Sequence, residues 1–182
     1  MNDHDLDQAR SHWSHRGSRR PDWAIKPGRG EESVWDYPRP PRLEDDGRLV
    51  RVVCGNTVVA ESRRTLRILE TASPPTFYIP PQDVRMELLS RAPDASLCEW
   101  KGSATYWSLC VDGQELPNVA WSYEQPFADF TRILGYLGFY PSKLNCYVDG
   151  HRVAPQPGHF YGGWVTPEVV GPFKGEPGTG GW

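Results

Sequence analysis

Residues 105–113, Thr-Tyr-Trp-Ser-Leu-Cys-Val-Asp-Gly, decide the fold class. The first seven are mostly β-branched, aromatic or aliphatic, and they run into Asp112-Gly113, a pair suited to the positive φ angles of a two-residue hairpin turn. The arrangement recurs. Leu49 to Cys54 and Thr57 to Ala60 flank Gly55-Asn56, and Leu144 to Val148 leads into Asp149-Gly150. Thr76 to Ile79, bracketed by Pro74-Pro75 and Pro80-Pro81, is a further short strand. Helix is scarce. The best candidate is Pro126 to Leu134, with proline near its start and Phe127, Phe130 and Leu134 along one face, while Gln82 to Ser90 reads as a single turn or a strand. Repeated hairpins predict a mainly β, antiparallel fold.

Composition agrees. Glycine and proline number 18 each in 182 residues, and both disfavour a helical bundle. A net charge of -3 removes the long-range pull toward nucleic acid or anionic lipid, so neither is an expected partner. The most apolar run, Ile133 to Tyr140, is far too short to cross a bilayer. Met1 to Asp7 is acidic where a secretory leader is basic, and Arg19-Arg20 is followed by Pro21-Asp22-Trp23 instead of an apolar run. The expected location is the cytoplasm. There Cys54, Cys98, Cys110 and Cys146 are expected as reduced thiols. With no Cys-x-x-Cys pair, neither a metal nor a cofactor is expected.

Residues 1–46 lack a sustained apolar period and read as an irregular N-terminal arm, the first part disordered. Trp35 and Tyr37 are costly to leave in water, so that part of the arm should lie against the domain. Residues 47–150 form the β core. Residues 151–182 are dense in Gly and Pro, yet Phe160, Tyr161, Trp164, Val169, Val170 and Phe173 argue that this tail wraps the core.

The densest chemical group lies in residues 98–108. Cys98 and Lys101 place a thiol and an amine three residues apart among Trp100, Tyr106 and Trp107. An ammonium favours the thiolate of a neighbouring cysteine, and burial favours the neutral form of a lysine, so either residue is a candidate nucleophile. On a regular strand, positions three apart face opposite sides, so Cys98 and Lys101 converge only if the chain turns between them. Parity puts Thr105, Trp107 and Leu109 on one face and Tyr106, Ser108 and Cys110 on the other. Tyr78, Tyr106, Trp107, Trp121, Tyr123 and Tyr140 are candidate walls for a planar ligand, and Arg85 is a candidate partner for its carboxylate or phosphate. The five histidines (4, 12, 15, 151 and 159) lie in the first 15 residues and the tail, so a Ser-His-Asp or Cys-His site would have to borrow a terminal segment. The segment Lys174 to Gly178 is only superficially like a phosphate loop, and Asp45-Asp46 reads as a solvated turn on a linker.

Cys98, Lys101, Gly102, Ala104, Tyr106 and Trp107 spell Cys-x-x-Lys-Gly-x-Ala-x-Tyr-Trp, which resembles the bacterial family catalogued as domain of unknown function number 427. The likeness continues through Ala60-x-Ser62, Leu69-Glu70, Pro75-x-x-Tyr78-x-Pro80, Asp83-Val84, Ala120 to Tyr123 and Phe139-Tyr140-Pro141, over about residues 47–148. It implies a β-tent of the Mss4-like kind, with two antiparallel sheets meeting above a cleft. Many tent proteins hold zinc through two Cys-x-x-Cys pairs, which this chain lacks. The family is also labelled nucleotidyltransferase-like. The leading expectation is a cleft that binds a small polar or aromatic metabolite, with Cys98 or Lys101 as its reactive or anchoring group. The alternatives are an interaction module whose arms bring two copies together as a homodimer, and nucleotidyl transfer.

Overall fold

The computed structural model describes residues 3–158 and 160–182; His159, like Met1 and Asn2, lies outside the described residues. In chain order, helix α1 (Asp3–Ser11) is followed by β1 (Glu32–Ser33), β2 (Arg42–Asp46), β3 (Val50–Cys54), β4 (Thr57–Ser62), β5 (Thr65–Glu70) and β6 (Ser73–Ile79). Then come β7 (Leu89–Cys98), β8 (Gly102–Val111), β9 (Gln114–Pro126), β10 (Leu137–Phe139) and β11 (Asn145–Val148). The tail adds β12 (His151–Arg152), β13 (Ala154–Pro155), β14 (Trp164–Val165) and β15 (Val169–Val170). The fold is mainly β and antiparallel, as expected.

All three quoted turns join paired strands: Gly55-Asn56 connects β3 to β4, Asp112-Gly113 connects β8 to β9, and Asp149-Gly150 connects β11 to β12. Asp112 and Gly113 take φ of 52° and 75°, the two positive angles that select Asp-Gly there. Seven strands pair in the order β2-β5-β6-β10-β9-β8-β7, and four in the order β12-β11-β3-β4. Both sheets are open. They share one core, in which Val50, Val52 and Val59 of the smaller sheet meet Phe77, Leu109 and Phe139 of the larger. Alternation then leaves Leu66, Tyr78, Ala104, Trp121 and Tyr123 on the opposite face of the large sheet, where they form a second apolar cluster. This second face cannot stay in water, and both ends of the chain cover it.

The tail does wrap the domain. Trp164 is fully buried in the main core, and its Nε1 donates to the carbonyl of Phe139 at 2.9 Å. Strand β15 pairs in parallel with β1, joining tail to arm. Trp35, Tyr37, Leu69, Val169 and Phe173 close a third cluster between them.

Three expectations need correction. Residues 3–11 are helical and not disordered. The helix is short and mostly polar, with only Leu6 and Ala9 apolar, so periodicity misses it, but Arg10 in its last turn suits the negative end of the helix dipole. That side chain also lies over the Trp100 ring and donates to the carbonyl of Glu99 at 2.9 Å. Asp45-Asp46 lies on an edge strand of the large sheet, where Asp46 is buried and bound by Arg48, so it is no solvated turn. The Pro126–Leu134 candidate is only a short 3-10 segment, Ala128–Ile133, interrupted at Phe130. Phe130 and Ile133 pack inward, but Leu134 points to solvent, so the segment has too narrow an apolar face for a longer helix.

Replacing Trp164 by Ala removes a fully buried indole and should lower the unfolding free energy by about 3–5 kcal/mol in urea titration. A loss below about 1 kcal/mol would mean that the tail is not part of the core.

Candidate functional site

The hairpin joining β7 to β8 builds the site. Cys98 ends β7 and pairs with Gly102, the first residue of β8, so the chain reverses within Glu99-Trp100-Lys101. Gly102 adopts φ of 103°, and a Cβ there would stand 3.1 Å from the Gln125 carbonyl oxygen, so both the angle and the space call for glycine. Because of this reversal Cys98 and Lys101 face the same cavity, of about 280 Å³, on the second face of the large sheet. The Lys101 side chain sits against Cys98 and lies 3.9 Å from Oε2 of Glu70, the last residue of β5. Glu70 Oε1 in turn accepts from Nε of Arg39 at 3.2 Å. Arg39 is buried, and its other nitrogens donate to the carbonyls of His15 and Thr71 at 2.9 and 2.8 Å.

Burial alone would lower the Lys101 pKa, as expected from its sequence context. Cys98, Glu70 and Tyr78 outweigh that effect and hold the group above its ordinary range. Lys101 is therefore a fixed ammonium, suited to anchoring negative charge. It is not the neutral amine that a nucleophilic role would need.

Rings supply the walls. Trp121 Nε1 donates to the Tyr78 hydroxyl at 3.0 Å, and the Tyr140 ring lies 4.6 Å from the indole, centroid to centroid. The indole presses on two glycines: a Cβ at Gly138 would come within 2.6 Å of it, and one at Gly162 would collide outright. Tyr106 shares a hydrogen bond of 2.8 Å with Ser96. Burial pushes the Tyr78 hydroxyl up to about 12 and raises Tyr123 and Tyr140 as well, so all three face the cavity as neutral phenols.

The two ends of the chain finish the enclosure. Trp13, just beyond α1, donates from Nε1 to Glu99 Oε1 at 2.7 Å. The tail brings Phe160, Tyr161 and Lys174 to the rim and wall. Lys174 is buried, with Nζ 3.3 Å from the centroid of the Trp13 ring and 5.0 Å from that of Tyr161. Burial lowers its pKa to about 8, with Glu70 acting in the opposite sense.

Of the candidates named from sequence, Cys98, Lys101, Tyr78, Tyr106, Trp121, Tyr123 and Tyr140 line this cavity. Trp107 does not. It packs against the main core and donates from Nε1 to Ser122 Oγ at 2.9 Å, on the face that parity shares with Leu109. Arg85 also lies elsewhere, on the surface, where Nε donates to Glu87 at 2.8 Å. Among the described residues no histidine lines the cavity, and no three His, Cys, Asp or Glu side chains gather as a metal site would need. All four cysteines are free. Sequence reasoning missed Lys174, Glu70 and Trp13 as cavity residues. The available signals were the tail's one lysine, set between Phe173 and Gly175, and Glu70 within the family pattern.

The fold and site together define an open antiparallel β domain with a ring-walled cavity around buried cations. The chain belongs to the family described as Domain of unknown function (DUF427), labelled NTP_transf_9, whose model matches residues 42–150. That span holds the thiol, the ammonium of Lys101 and most of the rings, while Trp13, Arg39, Tyr161 and Lys174 fall outside it. No curated protein matches the chain. Among the described residues no helix is long and apolar enough to cross a membrane.

A lysine lowered from about 10.5 to about 8 in the folded protein binds fewer protons than the unfolded chain between those two values. Its contribution to stability therefore rises with pH across that window and is flat below it. Wild type should gain on Lys174→Met by about 2 kcal/mol between pH 7.5 and pH 10, read by urea unfolding at several pH values. Parallel stability profiles would show that Lys174 is not held in an unfavourable charged state.

Proposed function

We propose that the cavity binds a small, planar, anionic metabolite, anchored by the Lys101 ammonium and gripped by the Trp121 and tyrosine rings. One observation carries this reading: lysines from two distant segments, three indoles and several phenols converge on a single half-open cavity. A volume of about 280 Å³ lies at the small end of ligand sites, which favours a single ring or short acid over a dinucleotide. Around it Lys101, Lys174 and Arg39 oppose the carboxylates of Glu70 and Glu99. Glu70 is shared between two cations and Glu99 accepts from Trp13, so the surplus charge is positive and favours a carboxylate or phosphate. Neutral phenols can donate to the same anion. Cys98, beside the anchor, stands where a bound ligand would meet a thiol.

The arms support this reading over self-association. Their strands pair within the chain, and Trp13 covers Lys174 instead of offering its ring to a second copy.

Iodoacetamide tests access to the site. In native protein Cys98 should alkylate, while the buried Cys146, whose thiol burial pushes upward, reacts only after unfolding. Millimolar 4-hydroxybenzoate should slow Cys98 at least severalfold and leave the exposed Cys110 unchanged. If Cys98 proved as unreactive as Cys146, the cavity would not be open to a ligand.

A further inference from the structure

Lys174 is the most unusual group in the molecule. Its Nζ faces the cavity from a buried side chain and lies against the ring faces of Trp13 and Tyr161. Among the described residues no hydrogen bond or ion pair to that nitrogen is present. Buried ammonium groups are ordinarily paired, because the net penalty of taking one out of water is several kcal/mol even after the protein relaxes around it. A ring face returns only about 0.5–2 kcal/mol of that. The same cavity already holds a paired ammonium, Lys101, so a second cation for anion binding alone would not need to forgo a partner.

We propose that Lys174 is a carbonyl-reactive amine, which forms an imine with an aldehyde or 2-oxo acid whose anionic group is held by Lys101. This deepens the reading of the cavity as an anion site and rests on it. The substrate class follows from the two lysines: one keeps its proton and anchors, while the other gives it up and reacts. A group lowered to about 8 is neutral in about a tenth of molecules at pH 7, against well under one in a thousand for an ordinary lysine. The neutral nitrogen attacks the carbonyl carbon and forms a C–N bond. The carbonyl oxygen then leaves as water, taking up both amine hydrogens, and a C=N bond remains. Trp13 and Tyr161 shield that bond from bulk water, which would reverse the step.

The probe is 4-formylbenzoate, planar and anionic with one aldehyde, applied to the full chain with sodium cyanoborohydride. The borohydride delivers hydride to the imine carbon and water supplies a proton to nitrogen, fixing a secondary amine that peptide mapping locates. Lys174 should be modified at pH 7 at least tenfold faster than the exposed Lys26 and Lys143, and terephthalate, which has no aldehyde, should suppress it. The rate ratio of Lys174 to Lys143 should fall at least tenfold from pH 7 to pH 10, because only Lys174 gains little neutral fraction above pH 8. Lys174→Arg, which keeps the charge, should abolish the cavity adduct while 4-formylbenzoate still slows Cys98 alkylation. The ratio in wild type stands as the test if that variant does not fold. Protection of Cys98 with no preference for Lys174 would overturn the imine and leave anion binding intact. Neither protection nor adduct would overturn both.

Discussion

One carboxylate between two buried cations holds the site together. Glu70 ends β5 and faces Arg39 from the arm on one oxygen and Lys101 from the β7–β8 turn on the other. Removing three charges from water costs several kcal/mol apiece, and only close pairing with saturated hydrogen bonding returns it. Arg39 meets that condition by also donating to His15 and Thr71. The arm is therefore fixed across the sheet face at this point. Trp13, stacked over the Arg39 guanidinium 4.6 Å from its ring centroid, is carried into the cavity wall as a consequence. Without Glu70, Lys101 would lose its counter-charge and the arm its anchor.

The hairpins were legible because their information is local: Asp-Gly and Gly-Asn specify backbone angles within two residues. Strand parity was also sound. It separated Trp107 from Tyr106 correctly, but parity alone does not say which face meets the smaller sheet and which the cavity. That depends on the partner sheet, whose contacts join Val50 to Leu109 and Phe139 across long stretches of chain. The convergence of Cys98 and Lys101 was legible as a condition, a turn marked by Gly102, and the structure places that turn there.

What local reasoning missed is long-range electrostatics and termini. Burial near Trp100 predicts a lowered Lys101, yet Cys98 across the turn and a carboxylate 31 residues earlier together reverse the sign. Helix α1 is too short and too polar to show an apolar stripe, and Arg10 ties it to a ring and a carbonyl of the β7–β8 turn. Lys174 lies in a Gly- and Pro-rich tail whose apolar residues show that it wraps the core but not that it carries a lysine into the cavity.

The outcome is a pair of lysines in one cavity with opposite behaviour. Both are desolvated, so the difference arises only from partners: Lys101 has a carboxylate and a thiol, Lys174 has aromatic faces. Environments that push like groups apart are how a single site acquires an anchor and a reactive group together. The direct test is a side-chain NMR titration of protein labelled at lysine Nζ and Cε. Lys174 should show a midpoint near 8, while Lys101 stays charged past the ordinary lysine midpoint of about 10.4. Both lysines titrating together near the ordinary value of about 10.4 would contradict the account.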